Sequence, residues 1–138
     1  MNQKVDLTQI LNTIENTRIG ASSIHGYGLF SCRRIPAGRL LATLDGQRVP
    51  WSLYQSLGLC DEWNALSPDW LLVRPYKTMY SFINHCRQPN ALLELHPSED
   101  RLMLFARADL EAGDEITLDY RNEPLPDDYV NGHGKSYL

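Results

Sequence analysis

The sequence predicts a mainly β domain built from several short sheets, with one small helical insert. The apolar residues between 17 and 122 fall into short runs that end at turn residues, as they do in strands. Only the stretch WSLYQSLGL at 51–59, which follows a proline, has helical character in the middle of the chain. Two similar turns, IPAG at 35–38 and LEAG at 110–113, each end in a glycine that supplies the positive φ other residues resist.

The predicted elements follow one another along the chain. Asp6-Leu-Thr-Gln9 has the spacing of a helix N-cap with its reciprocal partner, and apolar residues follow at helical intervals, which predicts a short amphipathic helix over residues 6–16. The segment His96-Pro-Ser-Glu-Asp100 lies between two apolar runs and is predicted to join them as a hairpin. Strands are predicted at 17–22, 28–33, 39–45, 69–73, 90–96, 101–107 and 115–120.

These elements predict one domain with a segment at either end. Residues 1–16 form a helical lead-in, residues 17–122 form the domain, and the helical insert occupies residues 51–67 within it. Residues 123–138 form a tail rich in Gly, Pro and Asp, which is either disordered or ordered by what it covers. A chain of 138 residues with 43% hydrophobic composition has material for one core, so a second domain is not expected.

Composition and charge exclude several classes of protein. No apolar run approaches the roughly 20 residues that span a bilayer, and the N-terminus lacks the apolar core of a signal peptide. We therefore expect a cytoplasmic protein without a membrane partner, although delivery into another cell would leave no trace in this sequence. A net charge of −4 argues against direct binding of nucleic acid and favours a cationic partner.

The cysteines indicate neither disulfides nor a zinc site. Cys32, Cys60 and Cys86 are odd in number and far apart, without the Cys-x-x-Cys spacing that closes a zinc tetrahedron. His85 stands beside Cys86, but neighbours in an extended segment point to opposite sides, so the two are poor partners for a catalytic dyad. Cys86 is interpreted as a small buried hydrophobe, the usual role of a free cysteine.

Two further stretches have a functional and a structural interpretation. In His25-Gly-Tyr-Gly28-Leu-Phe30, two glycines one residue apart allow a ligand to approach the main chain, or simply relax a bend between strands. The stretch Gly113-Asp-Glu-Ile-Thr-Leu-Asp-Tyr120 is a turn followed by alternating residues, and by itself describes a strand with an aromatic end.

In this order and spacing, three stretches resemble the SET-domain family of S-adenosylmethionine-dependent protein-lysine methyltransferases. IHGYGLF at 24–30 matches the first family motif, a Gly-x-Gly after a His or similar residue. The motif Arg-Phe-Ile-Asn-His-Ser-Cys-x-Pro-Asn is matched at Phe82, Ile83, Asn84, His85, Pro89 and Asn90. The motif Gly-Glu-Glu-Leu-Thr-Phe-Asp-Tyr is matched at Gly113, Glu115, Thr117, Asp119 and Tyr120. The resemblance covers about residues 17–122.

The resemblance implies a SET-type β-clip fold, in which several short sheets surround a C-terminal pseudoknot formed by the Asn-His and Asp-Tyr segments. It implies that Tyr120 is catalytic and that its hydroxyl orients the acceptor amine near the methyl group. The substrate channel is expected to be lined by Tyr80, Leu118 and Tyr76. The implied cofactor-binding residues are His25, Gly26, Tyr27, Gly28, Asn84, His85 and Tyr120.

The implied reaction transfers a methyl group from S-adenosylmethionine to a lysine of a basic protein or peptide, and leaves S-adenosylhomocysteine. Two alternatives remain open: a catalytically inactive SET-fold module that binds a basic peptide, and a methyltransferase acting on a non-lysine side chain or a small amine. The protein is expected to act as a monomer or a homodimer.

Departures from the family motifs lead to two further expectations. The Ser-Cys of the second motif is Cys86-Arg87 here, and no cysteine-rich segment follows Tyr120, so zinc is not expected. The family has Phe or Tyr two residues before the catalytic tyrosine, where this chain has Leu118. A smaller side chain without a hydroxyl leaves room in the channel and predicts multiple methylation of one lysine.

Overall fold

The computed structural model describes residues 14–57, 62–126 and 131, and most of the regular structure in them is short strands. Helix α1 spans Trp51–Leu57, and short 3₁₀-helices span Met79–Phe82 and Tyr120–Asn122. The strands are β1 (Thr17–Ala21), β2 (Tyr27–Ser31), β3 (Leu40–Leu44), β4 (Gln47–Pro50), β5 (Glu62–Ser67), β6 (Trp70–Arg74), β7 (Asn84–His85), β8 (Ala91–Leu95), β9 (Leu102–Ala106) and β10 (Thr117–Leu118). No helix in the described part of the chain is long and apolar enough to cross a membrane.

These strands form four small sheets, as the prediction of several short sheets required. Strands β1 and β2 pair as an antiparallel ribbon, and β7 pairs in parallel with β10. The two three-stranded sheets are antiparallel, with the orders β3-β9-β8 and β4-β6-β5. Strands β5 and β8 therefore each lie at an edge of their sheet.

The hydrophobic core lies against the β3-β9-β8 sheet. Along β9 the residues Leu102, Leu104 and Ala106 are buried and alternate with partly exposed neighbours, which is the period of two expected of a strand with one covered face. The core also takes in Leu29 from β2 and Ile116 from the segment before β10. Burial of these side chains is the main favourable contribution to folding.

The two similar turns contact each other. Ile35 and Leu110 form an isolated antiparallel bridge in which each main-chain N–H donates to the other residue's carbonyl at 2.8 Å. Gly38 has a φ of 85° and Gly113 a φ of 92°, so both turns need the left-handed backbone that the sequence predicts for them.

The predicted hairpin at residues 96–100 is confirmed. It joins β8 to β9, whose register places Leu95 opposite Leu102. Glu99 closes the turn with a positive φ of 61°.

The prediction of a helical insert over 51–67 is wrong at its C-terminal end. Helix α1 ends at Leu57, and residues 62–67 form strand β5 instead. Glu62 and Asn64 are two residues apart on this strand, and both accept hydrogen bonds from the buried guanidinium of Arg74 on β6. These contacts are made only when the segment is extended beside β6, so tertiary pairing determines its structure.

Both predicted terminal segments lie largely outside the described residues. Of the predicted helix at 6–16, residues 6–13 are not described, and residues 14–16 form coil and a turn in which Asn16 has a φ of 61°. Of the tail at 123–138, only residues 123–126 and 131 are described.

Candidate active site

Strands β7 and β10 bring the second and third motifs side by side. Their parallel register places Thr117 opposite Asn84 and Leu118 opposite His85, and the N–H of Cys86 continues the ladder to the Leu118 carbonyl at 2.9 Å. The side chain of Asn90 stabilises this pairing through hydrogen bonds to the main chain at and before β10. Its amide donates to the Glu115 carbonyl at 2.7 Å and its oxygen accepts from the Thr117 N–H at 2.8 Å.

The side-chain amide of Asn84 connects this strand pair to the glycine-containing loop at 25–28. Its Nδ2 lies 3.1 Å from the carbonyl oxygens of both His25 and Tyr27, and 2.9 Å from Oε2 of Glu115. The Ser22 hydroxyl is also 3.1 Å away. One amide has only two N–H donors, so Nδ2 faces more acceptors than it can satisfy at once. The loop and Asn84 are thus brought together as the sequence predicts.

The two glycines of this loop meet different requirements. Gly26 has a φ of 45°, in the left-handed region. Gly28 has ordinary backbone angles, but a Cβ there would lie 2.5 Å from Oε2 of Glu115, whose carboxylate also accepts from the Ser22 hydroxyl at 2.7 Å. Ser22 and the Glu115 side chain were not predicted as site residues. The match of Glu115 to the third motif could have indicated a role in the site. Its contact with Gly28 depends on the fold and could not be predicted from the sequence.

The ring of His85 holds the main chain of Tyr120. Its Nδ1 accepts the Tyr120 N–H at 3.0 Å, and the two ring centroids are 5.1 Å apart. Because Nδ1 accepts a hydrogen bond, the neutral ring carries its proton on Nε2. Nε2 is buried and has no hydrogen-bond partner in the described part of the chain. The sequence predicted a role for the main chain of His85, and this positioning role of its ring was missed.

Tyr120 is held at both ends. Its hydroxyl donates to the carbonyl of Ile83, the residue before Asn84. Its neighbour Asp119 caps the short helix that begins here, since the Asp119 side chain accepts the N–H of Arg121 at 3.0 Å. The hydrogen bond from the Arg121 guanidinium is the main cause that lowers the pKa of Asp119 to about 2.

Beside the strand pair lies a cavity of about 100 Å³. Its walls are mostly aliphatic side chains of β5, β8, β9 and β10, among them Leu66, Leu93 and Leu118, and its polar rim includes Asp119 and Glu123. No described residue that bonds the Asn84 amide lines this cavity, and the cavity shares only Leu118 with the β7–β10 pair.

Of the three predicted channel residues, Leu118 lines the cavity. Tyr80 is buried and packs in the core, and its hydroxyl accepts a hydrogen bond from Asn64 at 2.8 Å. Burial raises the pKa of Tyr80 well above its ordinary value. Tyr76 is partly buried, and neither tyrosine is among the described residues that border the cavity.

Glu123 also lines the cavity and was not predicted as a residue of the channel. Its Oε1 accepts a hydrogen bond from the Asn64 amide at 2.9 Å. Burial raises the pKa of Glu123 to about 7, against the opposing effects of Asn64 and of the nearby Arg74. The sequence carries no signal for the burial of Glu123, because Glu123 lies in the predicted tail at 123–138. The side chain is covered only when β5 packs beside it.

Cys86 takes no part in a dyad with His85. Its thiol makes a weak contact with the Gln88 carbonyl at 3.6 Å, and it is partly exposed, so the interpretation of Cys86 as a buried hydrophobe is wrong. Within residues 14–57 and 62–126, no group of three or more His, Cys, Asp or Glu side chains is arranged to hold a metal ion.

Curated relatives of the chain are named as histone methyltransferases. The chain is 29% identical over 132 residues to a histone-lysine N-methyltransferase, H3 lysine-4 specific, from Mycosarcoma maydis, covering 87% of this chain and 9% of that protein. It is 26% identical over 132 residues to the histone-lysine N-methyltransferase MEDEA of Arabidopsis thaliana, covering 89% and 19%. An H3 lysine-4 specific enzyme of Saccharomyces cerevisiae is 24% identical over 135 residues, covering 90% and 12%. The chain thus spans a fifth or less of the length of each of these relatives.

The family comparison agrees with the site geometry. The family model for the SET domain matches residues 26–121, which is well over half of the chain. This range includes Gly28, Asn84, His85 and Tyr120, which the strand pair and its hydrogen bonds bring into one region. The chain therefore belongs to the SET-domain family.

Proposed function

We propose that this chain transfers a methyl group from S-adenosylmethionine to the side-chain amine of a lysine in a basic protein. The observation that carries the proposal is the convergence of the glycine loop, Asn84, His85 and Tyr120 at the β7–β10 pair, next to an apolar cavity. The relatives' names, which specify histone lysines, support a basic protein as the substrate class.

The residues of the glycine loop fit this cofactor. The Asn84 amide is surrounded by three acceptors, the carbonyl oxygens of His25 and Tyr27 and the Glu115 carboxylate. Such a set of acceptors suits the cofactor's ammonium group, which has three N–H donors. The loop is exposed on its outer side, with Tyr27 65% exposed, so its main chain is accessible. We propose that this loop, Asn84 and the main chain of His85 hold the cofactor, which supplies an electrophilic methyl group on sulfur.

We propose that Tyr120 orients the acceptor amine. Its hydroxyl and the Ile83 carbonyl are adjacent polar groups beside Asn84. When the hydroxyl leaves this carbonyl it can hydrogen-bond the amine, while the Ile83 carbonyl accepts a weak C–H···O contact from a polarised methyl group. Alignment of the reacting atoms by such fixed groups lowers the barrier by several kcal/mol.

The cavity favours the form of the amine that can react. A free lysine has a pKa near 10.4, so only about one in a few thousand is neutral at pH 7. Aliphatic walls such as Leu66 and Leu93 disfavour the ammonium and lower the amine's pKa. The same walls suit the four-carbon stem of lysine, which is itself apolar.

Methyl transfer from labelled cofactor to a mixture of histones and other basic proteins tests the proposal. We expect labelling by the wild type and a loss of roughly 100-fold or more in Tyr120→Phe, the size typical for removal of one hydrogen-bonding group from an active site. Cofactor titration of both proteins separates binding from chemistry. Undiminished labelling by Tyr120→Phe would contradict the role of the hydroxyl, and absence of saturable cofactor binding by the wild type would favour a binding module.

A further inference from the structure

Two acidic residues, Asp119 and Glu123, line the cavity beside the β7–β10 pair, and their carboxylates differ in their partners. Asp119 is paired with Arg121, whose Nη2 lies 2.6 Å from Oδ2. The same carboxylate also accepts the Arg121 N–H. Its negative charge is therefore compensated within the chain, and a cation entering the cavity gains little from it.

Glu123 has no such compensation. Within the described residues its carboxylate forms no salt bridge, and the one hydrogen bond to that carboxylate comes from the neutral amide of Asn64, at 2.9 Å. That amide also donates to the Tyr80 hydroxyl at 2.8 Å. The carboxylate thus has a polar neighbour but no counter-ion among the described residues, and it belongs to a residue that lines the cavity.

The buried cation Arg74 forms its hydrogen bonds with groups other than Glu123. The guanidinium of Arg74 donates to Glu62, to the oxygen of Asn64 and to the Asp45 carbonyl. Glu62 is itself buried, so it holds Arg74 in place as a buried ion pair. Arg74 influences Glu123 only at a distance, which leaves the pKa of Glu123 raised to about 7 by burial.

An uncompensated carboxylate at the edge of an aliphatic cavity is complementary to one class of ligand, an alkyl chain that ends in a cation. Partial burial of the carboxylate costs free energy that an incoming ammonium recovers, while the alkyl stem covers the leucine walls. A neutral chain of the same length gains only the contribution from covering the leucine walls.

We propose that Glu123 determines the specificity of this cavity by pairing with the ammonium group of an aliphatic amine as it enters. The inference rests on the proposed function, because lysine is the amine that this function supplies. Asn64 positions the carboxylate through its amide, and Tyr80 fixes the amide in turn. The role of Glu123 is recognition of the charged substrate. Pairing with this carboxylate holds the amine in its protonated form, so the amine must leave Glu123 and release its proton before it reaches the methyl group.

The test compares two small probes on the whole chain saturated with S-adenosylhomocysteine. Nα-acetyl-lysine amide carries the ammonium, and Nα-acetyl-norleucine amide has a similar stem without it. We expect NMR titrations to show that the wild type binds the lysine probe about 10-fold or more tightly than the norleucine probe, the effect of one ion pair worth about 1.4 kcal/mol.

Glu123→Gln should abolish this difference without loss of folding, because the glutamine oxygen can still accept the Asn64 hydrogen bond. Glu111→Gln makes the same chemical change in an exposed residue that pairs with Arg34, and should keep the full preference. In methylation assays we expect Glu123→Gln to raise the KM for the protein substrate about 10-fold and to leave cofactor affinity unchanged.

Two outcomes overturn the inference. One is an undiminished preference for the lysine probe in Glu123→Gln, and the other is a wild type that binds both probes equally. Circular dichroism verifies folding of each variant, and Glu123→Asp, which keeps the charge, should retain part of the preference if the glutamine variant fails to fold. A wild type that discriminates between the probes but labels no protein would refute the proposed function and leave the inference standing.

Discussion

At the scale of single residues, Gly28 shows how the site depends on close packing rather than on backbone freedom. An alanine Cβ at this position would lie 2.5 Å from Oε2 and 2.8 Å from Cδ of Glu115. The Glu115 carboxylate is held by the Ser22 hydroxyl and the Asn84 amide, so it cannot move aside without breaking hydrogen bonds. The glycine therefore maintains the contact between the first and third motifs.

We predict that Gly28→Ala weakens cofactor binding about 10-fold and lowers the free energy of unfolding by about 1 kcal/mol, the typical net value of a lost hydrogen bond. Calorimetric titration with S-adenosylmethionine and urea unfolding measure the two effects. Gly20→Ala is the matched control, because Gly20 lies opposite Gly28 in the β1–β2 ribbon. Its added Cβ would meet mainly the end of the Arg18 side chain, at 2.7 Å, which can move. Equal effects of the two substitutions would contradict this account.

We propose that Leu118 determines how many methyl groups are added to one lysine. It is 4% exposed and lines the cavity, where it offers bulk but no hydrogen bond. We predict that the wild type adds two or three methyl groups to one lysine and that Leu118→Tyr stops after the first. The added phenol fills space and its hydroxyl restrains the methylated amine from turning for a second transfer.

Mass spectrometry of the product at long reaction times measures the distribution of methylated states. Leu118→Met changes the shape of the side chain but adds no hydroxyl, and it should leave the distribution unchanged. A wild type that produces only monomethyl-lysine would show that the channel is closed by other residues.

At the scale of elements, the strands that are short apolar runs bounded by turn residues were predicted, whereas β4, β5 and β7 were not. Strand β9 alternates buried and partly exposed residues over its whole length, which is a local signal of period two. Strand β5 begins with Glu62 and Asn64, which look like surface residues until Arg74 on β6 is seen to bond both. A strand whose inward-facing side chains are polar lacks the hydrophobic periodicity from which strands are predicted.

Strand β7 is too short to be predicted from periodicity, and although β10 lies within the strand predicted at 115–120, its pairing partner could not be predicted from that stretch. Each has two residues, and their parallel pairing joins segments more than thirty positions apart. Their association was anticipated only through the family resemblance, which places the Asn-His and Asp-Tyr segments together. The ring of His85 and the carboxylate of Glu115 have roles that follow from this pairing, so their contacts could not be read from spacing along the chain.

At the scale of the whole molecule, the two carboxylates of the cavity make the stability respond to pH in opposite directions. The pKa of Asp119 is lowered to about 2, so its interaction with Arg121 stabilises the fold above about pH 4 and is lost as the pH falls toward 2. The pKa of Glu123 is raised to about 7, so the folded state holds this proton more tightly than the unfolded state, where the usual value is 4.5. Ionisation of Glu123 therefore destabilises the fold as the pH rises.

We predict that Glu123 lowers the free energy of unfolding between about pH 4.5 and pH 7, by about 2–3 kcal/mol at most, and that the loss levels off above pH 7. Glu123→Gln should remove this decline, so its stability relative to the wild type should rise across the same interval. Urea unfolding of both proteins at several pH values from 4 to 8 measures the difference, in which the titration of other groups cancels. Tyr80 stays protonated throughout this range because its pKa is raised well above 10. Parallel stability curves for the two proteins would mean that Glu123 is solvated as in the unfolded chain, and the cavity would then lack the uncompensated carboxylate on which amine recognition depends.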